Sequence, residues 1–301
     1  MLLPFALWGT AMAAMAPLIG TGGPFVVASF RLLPAGIVLL FSVPFLGRSL
    51  KISQNDLFWF LIFTAVDATL FQFFLAKGLA ETGAGLGSVL IDSQPLIVAL
   101  LARALFGDAI NPFGWVGLVV GLFGIVCLGA PSDFLSNWLL MGQSSPLVSF
   151  WSHGEGWMLL ASLAMAFGTV LIRFACKESD PVAVTGWHMV VGSLPLLGWH
   201  YFFDEIPFWP VWNKIEWGLM AYASLLGSAL AYGLFFWFAN REELTSFSTL
   251  AFLTPVFALA TGGIWLGERL VLIQWIGVIF VLLSVFLVSQ RRRLWEPSHH
   301  S

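Results

Sequence analysis

Charge is scarce in this sequence. Only 10% of its residues are Asp, Glu, Lys or Arg, while 59% are hydrophobic. A soluble globular domain carries about 25% charged residues, so a soluble globule is excluded. Cysteine is nearly missing. Cys127 and Cys176 both fall in apolar stretches without disulfide or metal spacing, and they read as small packing residues. There is no HExxH, no Gly-x-Ser-x-Gly and no Gly-rich phosphate loop beside a Lys. Of five histidines, His153 and His200 sit at segment ends and His299 and His300 in the tail, which leaves His188 alone at depth. An intramembrane enzyme would need a catalytic cluster that these residues do not supply, so the expected answer is not an enzyme, with no cofactor and no metal. Strict apolar–polar alternation is also absent, which argues against a transmembrane β-barrel.

What the chain has in abundance is long apolar runs. A helix needs about 20 apolar residues to cross the hydrocarbon core, and ten such stretches can be counted. They run Leu2–Ile19, Phe25–Leu46, Leu57–Leu79, Ala84–Phe106, Phe113–Ala130, Trp157–Cys176, Val182–Phe203, Ile215–Ala239, Leu244–Leu266 and Val271–Ser289. The fold class is therefore an all-α integral membrane protein of ten transmembrane helices. The first stretch has neither a basic n-region nor a small-residue cleavage site, so it is expected to stay as a span.

These stretches repeat. Ser88–Gly129 aligns with Ser248–Ser289 without a gap at an offset of 160 residues. Ser88, Leu90 and Pro95 match Ser248, Leu250 and Pro255. Gly107-Asp108 matches Gly267-Glu268, and Trp115 and Gly117 match Trp275 and Gly277. Earlier in each half, Trp8-Gly9-Thr10 is echoed by Phe167-Gly168-Thr169, and Pro24–Arg31 by Pro181–His188, so Arg31 and His188 are equivalent. The chain divides into a first half, 1–130, a linker, 131–156, a second half, 157–290, and a basic tail, 291–301.

With the amino terminus inside, the inner loops carry nine Lys and Arg, from Arg48 to Arg293, and the outer loops only Lys77, Lys214 and Arg269. The positive-inside rule then places both termini in the cytoplasm of a cell or inner membrane. Five helices is an odd number, so the halves insert in opposite senses as an inverted repeat. The linker falls on the outer side, as an interfacial segment or a lid.

The set of motifs resembles the drug/metabolite transporter superfamily, EamA type. WGT stands near the amino terminus, an Arg lies central in the second helix (SFRLLPAG), and a Pro, a Gly-acidic pair and a Gly recur twice: Pro95, Gly107-Asp108, Gly117 and Pro255, Gly267-Glu268, Gly277. The resemblance covers nearly the whole chain. It implies a 5+5 inverted-repeat transporter in which helices 1–4 and 6–9 surround a central cavity, with helices 5 and 10 as scaffold. The inter-half linker is longer than the family pattern, and Gly-Asp-Ala departs from the more typical Gly-Glu-Arg.

Pro95 and Pro255 each remove a helix hydrogen bond and free the carbonyls of Ile91 and Ala251, so kinks or hinges are expected there. Asn111-Pro112 reads as an N-cap and first-turn proline, and Asp108 and Glu268 as local caps. Gly114, Gly117, Gly121 and Gly124 share one helix face, suited to tight packing within the monomer or to a homodimer.

Function is read from polar groups at membrane depth, where a charge is costly and marks a pathway. Arg31, Asp67, Asp92 and His188 stand out. Gln72, Gln94, Ser228, Tyr222 and Tyr232 add neutral groups, and Trp8 is the aromatic placed near the cavity. Gly85, Ser88, Asp92, Pro95 and Ala99 form a small or polar face of helix 4. His188 is either a ligand contact or a histidine bonded to a backbone carbonyl. Lys77, Arg103 and Arg173 lie near helix ends and can snorkel. By depth along the helices, Arg31 and Asp92 are expected to pair, directly or through water, leaving Asp67 free as a proton acceptor.

The expected function is a secondary active transporter of a small polar organic metabolite, such as an amino acid or related compound, of export type and working by alternating access. The expected partners are that solute, the lipid bilayer and a coupling proton, and no nucleic acid. A non-transporting receptor or scaffold is the alternative.

Overall fold

The computed structural model describes residues 1–82, 90–129, 153–203, 209–266 and 272–291. Among the described residues every regular element is helical. In chain order we number α1 (Leu3–Gly22), α2 (Pro24–Phe45) and α3 (Leu57–Phe63, continued by Thr64–Leu70 and Phe71–Thr82). Next come α4 (Gln94–Phe106), α5 (Pro112–Gly129), α6 (His153–Ala175) and α7 (Pro181–Phe203). The last are α8 (Lys214–Ser224, Leu225–Leu230, Ala231–Ala239), α9 (Leu244–Thr249, Leu250–Leu253, Thr254–Leu266) and α10 (Leu272–Ser289). Six of them (α2, α3, α6, α7, α8 and α10) are long and apolar enough to cross a membrane, and α1, α4, α5 and α9 contribute shorter apolar stretches. Of the linker, only its end is described; α6 begins there, at His153.

Local sequence fixes the helix ends. Gly23 takes φ +78° between α1 and α2, a left-handed value that glycine adopts without a Cβ penalty. Pro24, Pro112 and Pro181 each open a helix, where the missing N–H has no intrahelical partner to lose. Asn111 caps α5 as expected, its Oδ1 accepting from the Gly114 N–H at 3.0 Å. Gly107 closes α4 at φ +70°, and the adjacent Asp108 accepts from Thr245 Oγ1. The matching Gly267-Glu268 lies outside the described residues.

Both prolines sit where their helices break. A turn at Asp92-Ser93 precedes Pro95, and the tighter Leu250–Leu253 stretch precedes Pro255. These breaks occupy the same place in the two halves. So do two wide π-helical stretches, Thr64–Leu70 in α3 and Leu225–Leu230 in α8. π-Bulges tend to occur at functional sites.

Packing is reciprocal between the halves. α2 lies on α7 and α5 on α10; α1 on α9 is matched by α4 on α6, and α3 on α6 by α8 on α1. The α5–α10 seam shows this at residue level. A Cβ on Gly117 would meet Val288, and one on Gly277 would meet Leu128; a Cβ on Gly121 would meet Ser284, and one on Gly124 would meet Val281. The 160-residue offset carries the first contact of each pair onto the second. Small residues let the two backbones approach closely, which is what drives helix association in lipid. The glycine face considered for a homodimer is thus filled within the chain.

At one end the α2–α3 and α6–α7 loops interlock. The Asp56 carboxylate accepts from the backbone N–H groups of Glu178 (2.8 Å) and Ser179 (2.7 Å), and Arg48 pairs with Asp180 at 2.9 Å. Arg291, at the start of the basic tail, is buried and paired with Glu243. It fixes the end of α10 to the start of α9. Arg173 does not snorkel; it donates to the carbonyls of Ala239 and Glu242 and so holds the end of α8.

Candidate functional site

A cavity of about 60 Å³ lies between the halves. α1 contributes Trp8 and Met15, α2 Arg31, the turn before α4 Asp92, α4 Gln94, α8 Tyr232 and α9 Thr254. One end is closed by aromatic packing: Trp8 rests against Phe235 (4.7 Å between centroids) and Phe5 (5.8 Å), and Phe5 against Phe247 (5.6 Å). Of the residues singled out in the sequence, Trp8, Arg31, Asp92, Gln94 and Tyr232 therefore meet in one place. Gln72 stands directly behind them. Its Oε1 accepts from Arg31 at 2.6 Å, and its Nε2 donates to Tyr232 Oη at 3.3 Å. Gln72 and Tyr232 are themselves equivalent under the 160-residue offset.

One expectation is narrowed and one corrected. Arg31 makes no direct bond to Asp92; its guanidinium is held by Gln72 and by Met15 Sδ at 3.4 Å. Nor is Asp67 free: its Oδ2 lies 3.1 Å from His188 Nε2, and both side chains are fully buried. Counting residues along a helix gives depth but not direction around the axis, and direction decides which neighbour is met. Asp67 and His188 also escape the cavity, because they close on each other between α3 and α7.

The other candidates separate from the cavity. Tyr222 bonds Thr10 Oγ1 at 2.6 Å and ties α8 to α1. Ser228 bonds the Ala223 carbonyl within α8. Gly85 and Ser88 of the proposed helix-4 face lie outside the described residues. Thr254 lines the cavity and was missed, although a signal existed: it is the 160-residue counterpart of Gln94.

The cavity's polar atoms are largely unsatisfied. Trp8 Nε1 and Arg31 Nε are donors without acceptors, Asp92 Oδ2 and Gln94 Oε1 are acceptors without donors, and Thr254 Oγ1 is unpaired. Each such group, buried and unpaired, costs about 1–3 kcal/mol. Five of them around one space are a cost that a bound partner with both donors and acceptors would offset.

The sequence of both halves, residues 1–130 and 152–290, matches the EamA-like transporter family. The chain belongs to that family. It is 48% identical, over 98% of its own length and 90% of the relative's, to an uncharacterized transporter of Synechocystis sp.. To a WAT1-related chloroplastic protein of Arabidopsis thaliana it is 44% identical, over 95% of this chain and 67% of that one. Protein PecM of Dickeya dadantii is 27% identical over 98% and 94%. A solved crystal structure superposes with a TM-score of 0.81 at 16% identity, covering 98% of this chain and 96% of the other, and so shares the fold. Family and apolar helices together make this a multi-pass integral membrane protein. The Synechocystis relative and one from Bacillus subtilis are named as transporters.

Proposed function

We propose that the chain is a secondary active transporter that moves a small zwitterionic metabolite, of amino-acid size and type, by alternating access. One observation carries this: donors and acceptors without partners line one cavity, with Arg31 and Trp8 for a carboxylate and Asp92, Gln94 and Thr254 for an ammonium group. A buried cation and a buried anion that do not neutralise each other leave room for a solute that pairs with both.

The reciprocal seams support ten spans in two inverted halves. Contacts such as Gly117–Val288 and Gly277–Leu128, and the bond between the equivalent residues Gln72 and Tyr232, are what a two-fold axis between the halves would produce. The nine-to-three distribution of Lys and Arg supports cytoplasmic termini. A cavity of about 60 Å³ is well below the roughly 300–1,000 Å³ of a typical solute pocket. It fits a closed stage of the cycle, which opens to load. Export is the direction we assign.

The test is counterflow in proteoliposomes, comparing amino acids with diamines and dicarboxylates of similar size. Exchange of amino acids that Asp92→Asn and Arg31→Gln each weaken supports the reading. Equal exchange of monovalent ions or none, with the protein folded, overturns it.

A further inference from the structure

The buried pair beside the cavity has a proton count that its geometry fixes. His188 Nδ1 lies 2.5 Å from the Thr185 carbonyl. A carbonyl oxygen only accepts, so Nδ1 carries a hydrogen. Nε2 then faces Asp67 Oδ2 at 3.1 Å. A hydrogen bond there needs one more proton, either on the carboxyl, donated to Nε2, or on Nε2, donated to a carboxylate. In both arrangements the pair holds one proton. Take it away and a carboxylate faces an imidazole lone pair, two acceptors in an apolar enclosure, and the contact cannot persist.

Among the described residues the surroundings offer no substitute. α6 presents Gly168 to Asp67, so closely that a Cβ there would overlap Oδ1, and Oδ1 has no partner. Phe63 of α3 stacks on the imidazole at 4.5 Å, and Phe236 of α8 meets it edge-on at 5.5 Å. Beyond His188 of α7, the ionisable groups acting on Asp67 or acted on by it are Arg31 of α2 and Tyr232 of α8.

Asp67 sits in the π-helical stretch of α3, and Gln72 follows in the next turn. We propose that Asp67 and His188 form a single-proton site between α3 and α7, and that its occupancy sets whether α3 holds Gln72 against Arg31. The overall step is Asp67–H–His188 ⇌ Asp67⁻ + neutral His188 + H⁺, with the proton passing to water. With the proton bound, α3 and α7 are clasped and Arg31 is committed to Gln72. With it released, acceptor repulsion separates the pair, the π stretch shifts and Gln72 moves with it, freeing Arg31. The consequence for solute rests on the proposed role of Arg31; the proton site itself does not.

The test uses the full chain in lipid nanodiscs without any solute, so that its outcome is independent of transport. Infrared difference spectra across a pH titration read the carboxyl and imidazole bands. The expected result is one coupled transition, whose carboxyl part is lost in Asp67→Asn, where the amide donates to Nε2 of the neutral imidazole. In His188→Gln the remaining carboxyl transition moves by at least about one pH unit. A carboxyl band that titrates in the wild type without an imidazole change, or that His188→Gln leaves in place, overturns the site. Hydrogen exchange over residues 64–75, corrected for the intrinsic effect of pH, reads the link to Gln72. It should rise above the transition in the wild type and stay low in Asp67→Asn. Flat exchange in the wild type overturns the link. Should Asp67→Asn fail to fold, the titration and exchange of His188→Gln decide alone, since loss of the imidazole must also abolish the pH-dependent rise.

Discussion

Arg31 and His188 stand at equivalent places in the two halves and meet opposite surroundings. His188 on α7 finds Asp67 on α3 and is sealed with it. The place equivalent to Asp67 in the second half is Gly227, which offers Arg31 no side chain at all. Arg31 therefore turns to Gln72 and the cavity. Asp92 and its counterpart Phe252 differ in the same way: Phe252 is buried, in the space beside Gly121, whereas Asp92 points an unpartnered oxygen at the cavity. The closing aromatics follow suit. Phe5 and Phe235 seal one end, and their counterparts are the smaller Ala164 and Leu75, the latter lining the cavity. Repetition thus supplies the scaffold twice, and a few unequal positions assign closure to one copy and exposed charge to the other.

Breaking the closed member of this comparison should cost most. In Gly168→Ala the new methyl would overlap Asp67 Oδ1, forcing the carboxyl from its pocket. The gain in helix propensity, about 1 kcal/mol, is outweighed by overpacking and a displaced buried acid, for a net loss of about 2–4 kcal/mol. His188→Gln leaves Asp67 without its imidazole and should lose about 3 kcal/mol. Apparent Tm in detergent checks both, and a Gly168→Ala protein as stable as wild type would refute the described fit.

The open member should behave in the reverse manner. Arg31→Gln removes the cavity's cation but keeps a side chain able to bond Gln72. Solute affinity should fall about 10- to 100-fold, the worth of a charge-assisted hydrogen bond, while Tm stays near wild type. Binding isotherms set beside melting curves check the split. If Arg31→Gln proved as destabilising as His188→Gln, the two positions would share a structural role and the contrast would fail.

How far this contrast was legible in the sequence follows from what a repeat encodes. The offset fixed equivalences, and through them the Gln72–Tyr232 meeting and the place of Thr254 opposite Gln94 could be read. The Asn111 cap and both proline breaks were readable because they depend on adjacent residues. The π stretches were not. Thr64–Leu70 contains neither Gly nor Pro, so its extra width comes from packing on α6 and α7, which no local residue announces. The partners of Arg31 and Asp67 were misjudged for the same reason, since they depend on the rotation of each helix about its axis.

Asp92→Asn should change stability less than these. Asp92 Oδ2 has no partner, so an amide of the same shape breaks no bond there, and Tm should stay within the equivalent of about 1 kcal/mol of wild type. Affinity for an ammonium-bearing solute should fall. A lower Tm would mean that Asp92 has a structural cation, and the open half of the comparison would need redrawing.

The smallest effect separates the buried proton site from the surface. Exposed Glu178 accepts from Ser53 Oγ at 2.5 Å and Asn55 Nδ2 at 2.8 Å, and these bonds hold its carboxyl below the usual range. A folded-state pKa lowered in this way adds stability that is present above the ordinary Glu value of about 4.3 and is lost as pH falls through the folded value. Glu178→Gln should therefore flatten only the acid limb of a Tm-against-pH curve. Asp67→Asn lies on α3, bonded to His188 rather than to this loop, and should leave that acid limb in place. An Asp67→Asn protein whose acid limb flattened as well would show the surface interlock and the α3–α7 pair to titrate as one unit, contrary to their separate placement.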